Sequence, residues 1–280
     1  MAEHASRALW TRLISGVALA AVALAAVAGG TPWLELMVVT VGLLMSREWA
    51  ELCLAGAGRL ALWRPRPSMP GVALVLITAA ALGVLASGRP AEAIAIAVGG
   101  GALTAVLAPR LAVLDRLILA AGLPYVVVPA AAVLWLGADA DHGVLSLLWL
   151  LLTVWATDSG GYAGGKLIGG PRLVPAVSPN KTWAGFAAGI TLAVIAGAVL
   201  AAAVGAGIGR VAAASAAVGF VAQGGDLLES LVKRHFEVKD SGTIIPGHGG
   251  LFDRLDGLLA AAPVVAVAFL MAGGASVLWR

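Results

Sequence analysis

Long apolar blocks follow one another along this chain, separated by short polar connections. A spanning helix needs about 20 mainly apolar residues. Nine blocks approach that length, at roughly 11–29, 32–52, 70–87, 91–108, 117–137, 143–157, 184–204, 207–224 and 258–278. Polar residues concentrate in two stretches, 158–183 and 225–257. No separate soluble domain stands out, so residues 1–280 read as a single membrane domain. The pattern predicts an all-α, polytopic integral membrane protein with about nine transmembrane helices.

Composition sharpens this. Of 280 residues, 60% are hydrophobic and 12% charged, and the mean hydropathy is +0.97. Globular chains carry about 25% charged residues. A soluble domain of this size has no way to hide so much apolar surface, and disorder and collagen-like repetition are excluded by the same numbers. The 37 glycines and the Ala-rich runs suit helices that approach closely in lipid. Cys53 is the single cysteine, so neither an internal disulfide nor a cysteine-based metal site is expected.

The net charge of +3 reads first as topology rather than as a sign of nucleic acid, which is not an expected partner. With the N-terminus in the cytoplasm and sides alternating, cytoplasmic segments carry Arg7, Arg12, Arg47, Arg59, Arg64, Arg66, Arg110, Arg116, Lys166, Arg172, Lys181, Lys233, Arg234, Lys239 and Arg254. Only Arg89, Arg210 and Arg280 fall outside, and the opposite loop at 138–142 holds Asp139 and Asp141 with no basic residue. That asymmetry is the positive-inside pattern. Arg7 and Arg12 before a run ending Ala26-Val27-Ala28-Gly29 also resemble a secretory signal. Cleavage there would leave the remaining topology unchanged.

Both polar stretches fall on the cytoplasmic side. In the second, Asp226, Glu229, Ser230 and Lys233 have the spacing of one helix face, and Asp253 and Asp256 are three apart. Asp226 directly follows an apolar block and Asp256 directly precedes one, so both sit near the membrane boundary, where an unpaired carboxylate is costly. Oxygen ligands without cysteine suit a hard cation such as Mg²⁺, which takes one or two carboxylates plus substrate phosphates. The plainer alternative is pairing of these acids with Lys233, Arg234 and Arg254 at headgroup level. Pro246-Gly247-His248-Gly249-Gly250 offers backbone N–H groups to phosphate oxygens but lacks the ending of a P-loop. His248 is read as readily as a hydrogen-bonding turn residue as a catalyst. In the first stretch, Asp158 ends an apolar helix and Ser159-Gly160-Gly161-Tyr162-Ala163-Gly164-Gly165-Lys166 reads as a glycine-rich connector. Ser178 or Asn180 caps the next helix, with Pro179 near its first turn. Lys181, Thr182 and that helix N-terminus suit an anionic phosphate.

These residues resemble a known signature. Ser230-Leu-Val-Lys233-Arg234, Lys239-Asp240 and Pro246-Gly-His248-Gly249-Gly250-Leu-Phe-Asp253-Arg254-Leu-Asp256 are similar to the motif of phosphatidate cytidylyltransferases, also called CDP-diacylglycerol synthases. The likeness extends to Gly225-Asp226-Leu-Leu-Glu229-Ser230, Asp158-Ser-Gly-Gly-Tyr162 and Ser178-Pro179-Asn180-Lys181-Thr182-Trp183, with weaker echoes at Arg12-Leu-Ile-Ser-Gly16 and Arg47-Glu48-Trp49. It spans about 155–257. Ala184 stands where family members often carry Glu or Gln, and Gly160-Gly161 where Thr or Ala is more usual.

The resemblance implies a Mg²⁺-dependent membrane enzyme, with room for a second cation. CTP and phosphatidic acid would give CDP-diacylglycerol and pyrophosphate. It further implies a homodimer in the bacterial inner membrane, with its site open to the cytoplasm and to lipid. On that basis Asp226, Asp253 and Asp256 are expected metal ligands. Lys233, Arg234, Lys239, Asp240, His248 and Arg254 are expected to join them in catalysis. Asp158, Tyr162, Ser178, Asn180, Lys181, Thr182, Ser230, Gly249 and Gly250 are expected to bind substrate. A CTP-dependent polyprenol or phytol kinase is the nearest rival, and would move the γ-phosphate instead. CDP-alcohol phosphotransferases are disfavoured because their Asp-Gly-x-x-Ala-Arg element is absent. An ion-coupled transporter should carry its acids mid-span, whereas these lie at one edge.

Overall fold

The computed structural model describes residues 2–54, 68–242, 244–245 and 249–280, with side chains from Ile14 onward. Arg59, Arg64, Arg66 and His248 lie outside the described residues, as do the side chains of Arg7 and Arg12. The helices are α1 (Ala2–Gly29), α2 (Trp33–Leu54), α3 (Met69–Ala86), α4 (Pro90–Val106), α5 (Val113–Gly137) and α6 (Gly143–Leu167). A hairpin of β1 (Arg172–Val174) and β2 (Ser178–Thr182) follows, then α7 (Trp183–Val204), α8 (Ile208–His235), α9 (Phe252–Ala272) and the short α10 (Ser276–Trp279). Among the described residues, α3, α5, α6, α7, α8 and α9 are long and apolar enough to cross a membrane, and two shorter apolar helical stretches accompany them. This is an all-α integral membrane protein with one small hairpin added.

Three boundaries differ from expectation, and each has a local cause. The segment 158–166 is not a connector: α6 continues through it to Leu167. Its glycines are packing surface. A Cβ at Gly160 would lie 2.7 Å from the Ala188 carbonyl oxygen, and one at Gly185 would lie 2.7 Å from the Gly161 carbonyl oxygen. Small residues thus let the α6 and α7 backbones approach side by side, as in lipid-embedded helix pairs. Secondly, α7 is capped neither by Ser178 nor by Asn180. Both lie in β2, whose extended backbone runs through Thr182, and it is the Thr182 hydroxyl that accepts from the Gly185 N–H at 3.0 Å. A cap must reach a donor two or three residues into the helix, and only Thr182 is placed for that. Finally, α9 stops at Ala272 rather than near 278, because Gly273 and Gly274 take φ of 85° and 121°, where a helix cannot continue.

The chain groups into two compact units. One holds residues 1–131 and 232–254, the other 132–231 and 255–280. In the first, the Trp49 indole donates to the Ile118 carbonyl at 3.0 Å, and its ring packs against Tyr125 and Phe252 at 5.4 and 5.3 Å between centroids. In the second, the buried Trp149 and Trp279 indoles donate to Ser215 and Ser146 at 2.8 and 2.9 Å. Each buried indole N–H finds a partner, so each ring contributes its apolar area without a desolvation penalty.

The close approach at Gly160 is testable. Gly160→Ala should destabilise the protein by about 1–3 kcal/mol, the usual cost of overpacking. Gly161→Ala should be neutral or stabilising, because its Cβ would meet only the Gly185 carbonyl oxygen at 3.7 Å. Thermal unfolding in one detergent checks both.

Candidate active site

In the second unit, α8 and α9 bring carboxylates together through glycine. A Cβ on Gly225 would lie 2.5 Å from the Asp256 carbonyl oxygen and 2.6 Å from the Ala260 Cβ. Reciprocally, one on Gly257 would lie 3.3 Å from the Ala222 Cβ. Bare backbones at 225 and 257 allow the two helices to touch where their acids project. Asp226 and Glu229, one turn apart on α8, meet Asp256 from the first turns of α9. One oxygen from each lies within 4.8 Å of the others. This is the one such group among the described residues. Glu229 is 3% exposed and Asp256 8%, so their charges have little water to screen them.

The hairpin adds a cation. Lys181 stands in β2, one residue before the Thr182 cap, and its ammonium lies 2.6 Å from an Asp226 oxygen. Ser230 donates to the other Asp226 oxygen at 3.4 Å. Asp158, exposed on α6, is near enough for its charge to bear on Asp256 together with those of Asp226 and Glu229. All the donors in the three-acid group are oxygens. That set fits a hard divalent cation and does not suit one that seeks nitrogen or sulfur.

The first unit contains a charged arrangement around Asp253. One of its oxygens accepts from the Lys233 ammonium at 2.6 Å. The other accepts from the Ser241 N–H at 3.0 Å, the Ser241 hydroxyl at 3.1 Å and the Gly250 N–H at 2.9 Å. The side chains of Lys233 and Asp253 are 13% and 8% exposed. Asp253 is therefore occupied with Lys233 and the loop that precedes α9, while the third acid beside Asp226 and Asp256 is Glu229. Spacing alone does not separate Glu229 from an ordinary acid on a helix face; its meeting with Asp226 and Asp256 in space does. Gly249 adopts a φ of 86° and its carbonyl accepts from the Ile245 N–H at 3.0 Å.

Tyr162 is exposed on α6, with the Lys166 ammonium 5.6 Å from its ring centroid. Asn180 is exposed and Ser178 half-buried on β2. Arg234 donates to the Val238 carbonyl at 3.4 Å, Lys239 and Asp240 are exposed beyond the end of α8, and Arg254 is exposed in the first turn of α9.

A profile of the cytidylyltransferase family matches residues 10–272. The chain belongs to that family. It is 36% identical over 261 residues to the phosphatidate cytidylyltransferase of Brucella suis, with 92% of each chain covered. The phosphatidate cytidylyltransferase of Bacillus subtilis is 40% identical over 125 residues, 44% of this chain and 46% of its own. That of Helicobacter pylori is 41% identical over 133 residues, 45% of this chain and 47% of its own. For this cytidylyltransferase, the packing of α8 on α9 is what assembles the acids.

That dependence predicts unequal effects at neighbouring glycines. Gly225→Ala should cost about 1–3 kcal/mol by overpacking and should lower activity as the acids separate. Gly224→Ala, with open space around its Cβ, should leave both unchanged. Melting curves and steady-state assays of the two variants decide it.

Proposed function

We infer that the chain transfers CMP from CTP to phosphatidate, giving CDP-diacylglycerol and pyrophosphate in phospholipid biosynthesis. The match to the Brucella suis enzyme across 92% of both chains carries this reading. The oxygen-only group of Asp226, Glu229 and Asp256 beside Lys181 supports it chemically.

Those three acids would hold a divalent cation, Mg²⁺ by donor chemistry. Once bound, the ion supplies charge neutralisation for two polyanionic reactants. A phosphomonoester has its second pKa at about 6, so the lipid phosphate arrives ionised near neutral pH and no residue need act as a base. One of its oxygens forms a bond to the α-phosphorus of CTP. The bond from that phosphorus to the bridging oxygen breaks, and pyrophosphate leaves with the electron pair. Work for the protein is therefore positioning and charge compensation. Lys181, held by the hairpin against Asp226, supplies a fixed positive charge beside the acids. Arg254, Arg234 and Lys239 are exposed cations suited to phosphate oxygens, the arginines as bidentate forks. Lys233 acts through Asp253, keeping the loop before α9 in place.

The same reading has about nine spans, a homodimer, and a site facing the cytoplasm across a bacterial inner membrane. Fifteen of the eighteen basic residues falling on one side support the orientation. The dimer is what the family resemblance implies.

Purified protein given phosphatidate, Mg²⁺ and CTP labelled at the α-phosphorus should place the label in lipid, with one pyrophosphate released per lipid. Transfer of a γ-label to lipid would mean kinase chemistry and end this reading. Asp256→Asn and Glu229→Gln should each lower kcat by about 100-fold or more, consistent with several kcal/mol of charge stabilisation.

A further inference from the structure

Glu48 lies on α2, and no part of it reaches solvent. A carboxylate so placed needs strong compensation. Its partners are backbone. The two oxygens accept from the Leu251 N–H at 2.9 and 2.7 Å, and one accepts from the Phe252 N–H at 3.0 Å. Phe252 is the first residue of α9. The opening N–H groups of a helix have no partner within it and normally take a side-chain oxygen from the residue just before. Here the preceding residues are Gly249, Gly250 and Leu251, which have none. The oxygen comes instead from a helix 203 residues away in sequence.

The surroundings of Glu48 are shaped to hold it still. A Cβ on Gly242 would lie 2.6 Å from its Oε1, so the loop backbone passes directly over the carboxylate. The adjacent Trp49 is tied to the Ile118 carbonyl and packed on Phe252, which fixes α2 about its axis. The cap meets the positive end of the α9 dipole. A carboxyl group of the protein itself thus fills the helix end that elsewhere binds substrate phosphate.

We propose that Glu48 is a positioning residue for CMP transfer, setting where α9 begins and hence the placement of Asp256, which α9 carries. This rests on reading Asp256 as part of the active site. Glu48 touches no substrate; it acts through the first backbone N–H groups of the helix.

The test uses the full chain in lipid–detergent micelles with Glu48→Ala, Glu48→Gln and Glu48→Asp. Each is assayed for thermal unfolding, kcat, and KM for CTP. Misplacement of a catalytic helix by about 1 Å costs on the order of 100-fold in rate. Glu48→Ala should therefore lose about 10- to 100-fold in kcat, with KM for CTP within about threefold. Glu48→Gln, which keeps one acceptor oxygen, should recover part of that loss. Glu48→Gln and Glu48→Asp should melt within about 4 °C of the parent, a shift worth roughly 1 kcal/mol in a protein of this size. Should Glu48→Ala not fold, these two variants decide the matter. Parental kcat in both overturns the proposal, as does failure of both to fold, which would make Glu48 a determinant of folding alone. Asp256→Asn, run in parallel, separates the two ideas. Full activity there removes the active-site reading, whereas its inactivity beside fully active Glu48→Gln and Glu48→Asp removes only the role given to Glu48.

Discussion

Carboxylates that leave water must be compensated, and much of the polar structure of this protein follows from that requirement. Asp226 is met by the Lys181 ammonium. Asp253 receives an ammonium, a hydroxyl and two N–H groups. Glu48 receives the opening N–H groups of a helix. Three different compensations serve three acids, and each fixes a different piece of backbone: a hairpin, a loop and a helix start. Glu229 and Asp256 are the most deeply placed of the three-acid group, and their mutual repulsion is the feature a divalent cation would relieve.

Glycine makes these compensations geometrically available. At the α6–α7 and α8–α9 contacts a single Cβ would collide with carbonyl oxygen across the interface. Without a hydrophobic force between helices in lipid, dispersion at such short range is a principal source of cohesion. The backbones that meet at these two contacts are also those bearing Asp158, Asp226 and Asp256. Packing and chemistry are therefore supplied by the same few turns, with small residues on the inner face and acids at the polar end.

Much of this was legible from residue order. Apolar blocks located the helices, and acids at the block edges marked Asp226 and Asp256, because a carboxylate bordering a membrane segment is costly unless it has a task. Polarity misleads about helix ends, however. It marks where a chain leaves the apolar phase, whereas the i to i−4 ladder of α6 continues through Asp158 to Leu167, supported by α7. Ser178, Asn180 and Thr182 offer equal capping chemistry, and only the extended backbone of β2 selects Thr182. Glu48 stood out only within the weak echo Arg47-Glu48-Trp49, and what it holds was hidden for a deeper reason. Its partners are main-chain N–H groups of Leu251 and Phe252, which every sequence possesses and none displays. Glu229 needed only its neighbours in space to be recognised.

The lengths of the helices carry a consequence of their own. With a rise of about 1.5 Å per residue, the 28 residues of α8 extend about 42 Å and the 25 of α6 about 37 Å, against a hydrocarbon slab about 30 Å thick. Each rod is thus longer than the slab is thick, and tilt or overhang must take up the difference. A reaction joining a water-borne nucleotide to an anchored lipid belongs to the border between the two phases, and surplus helix length is what offers rigid scaffolding there.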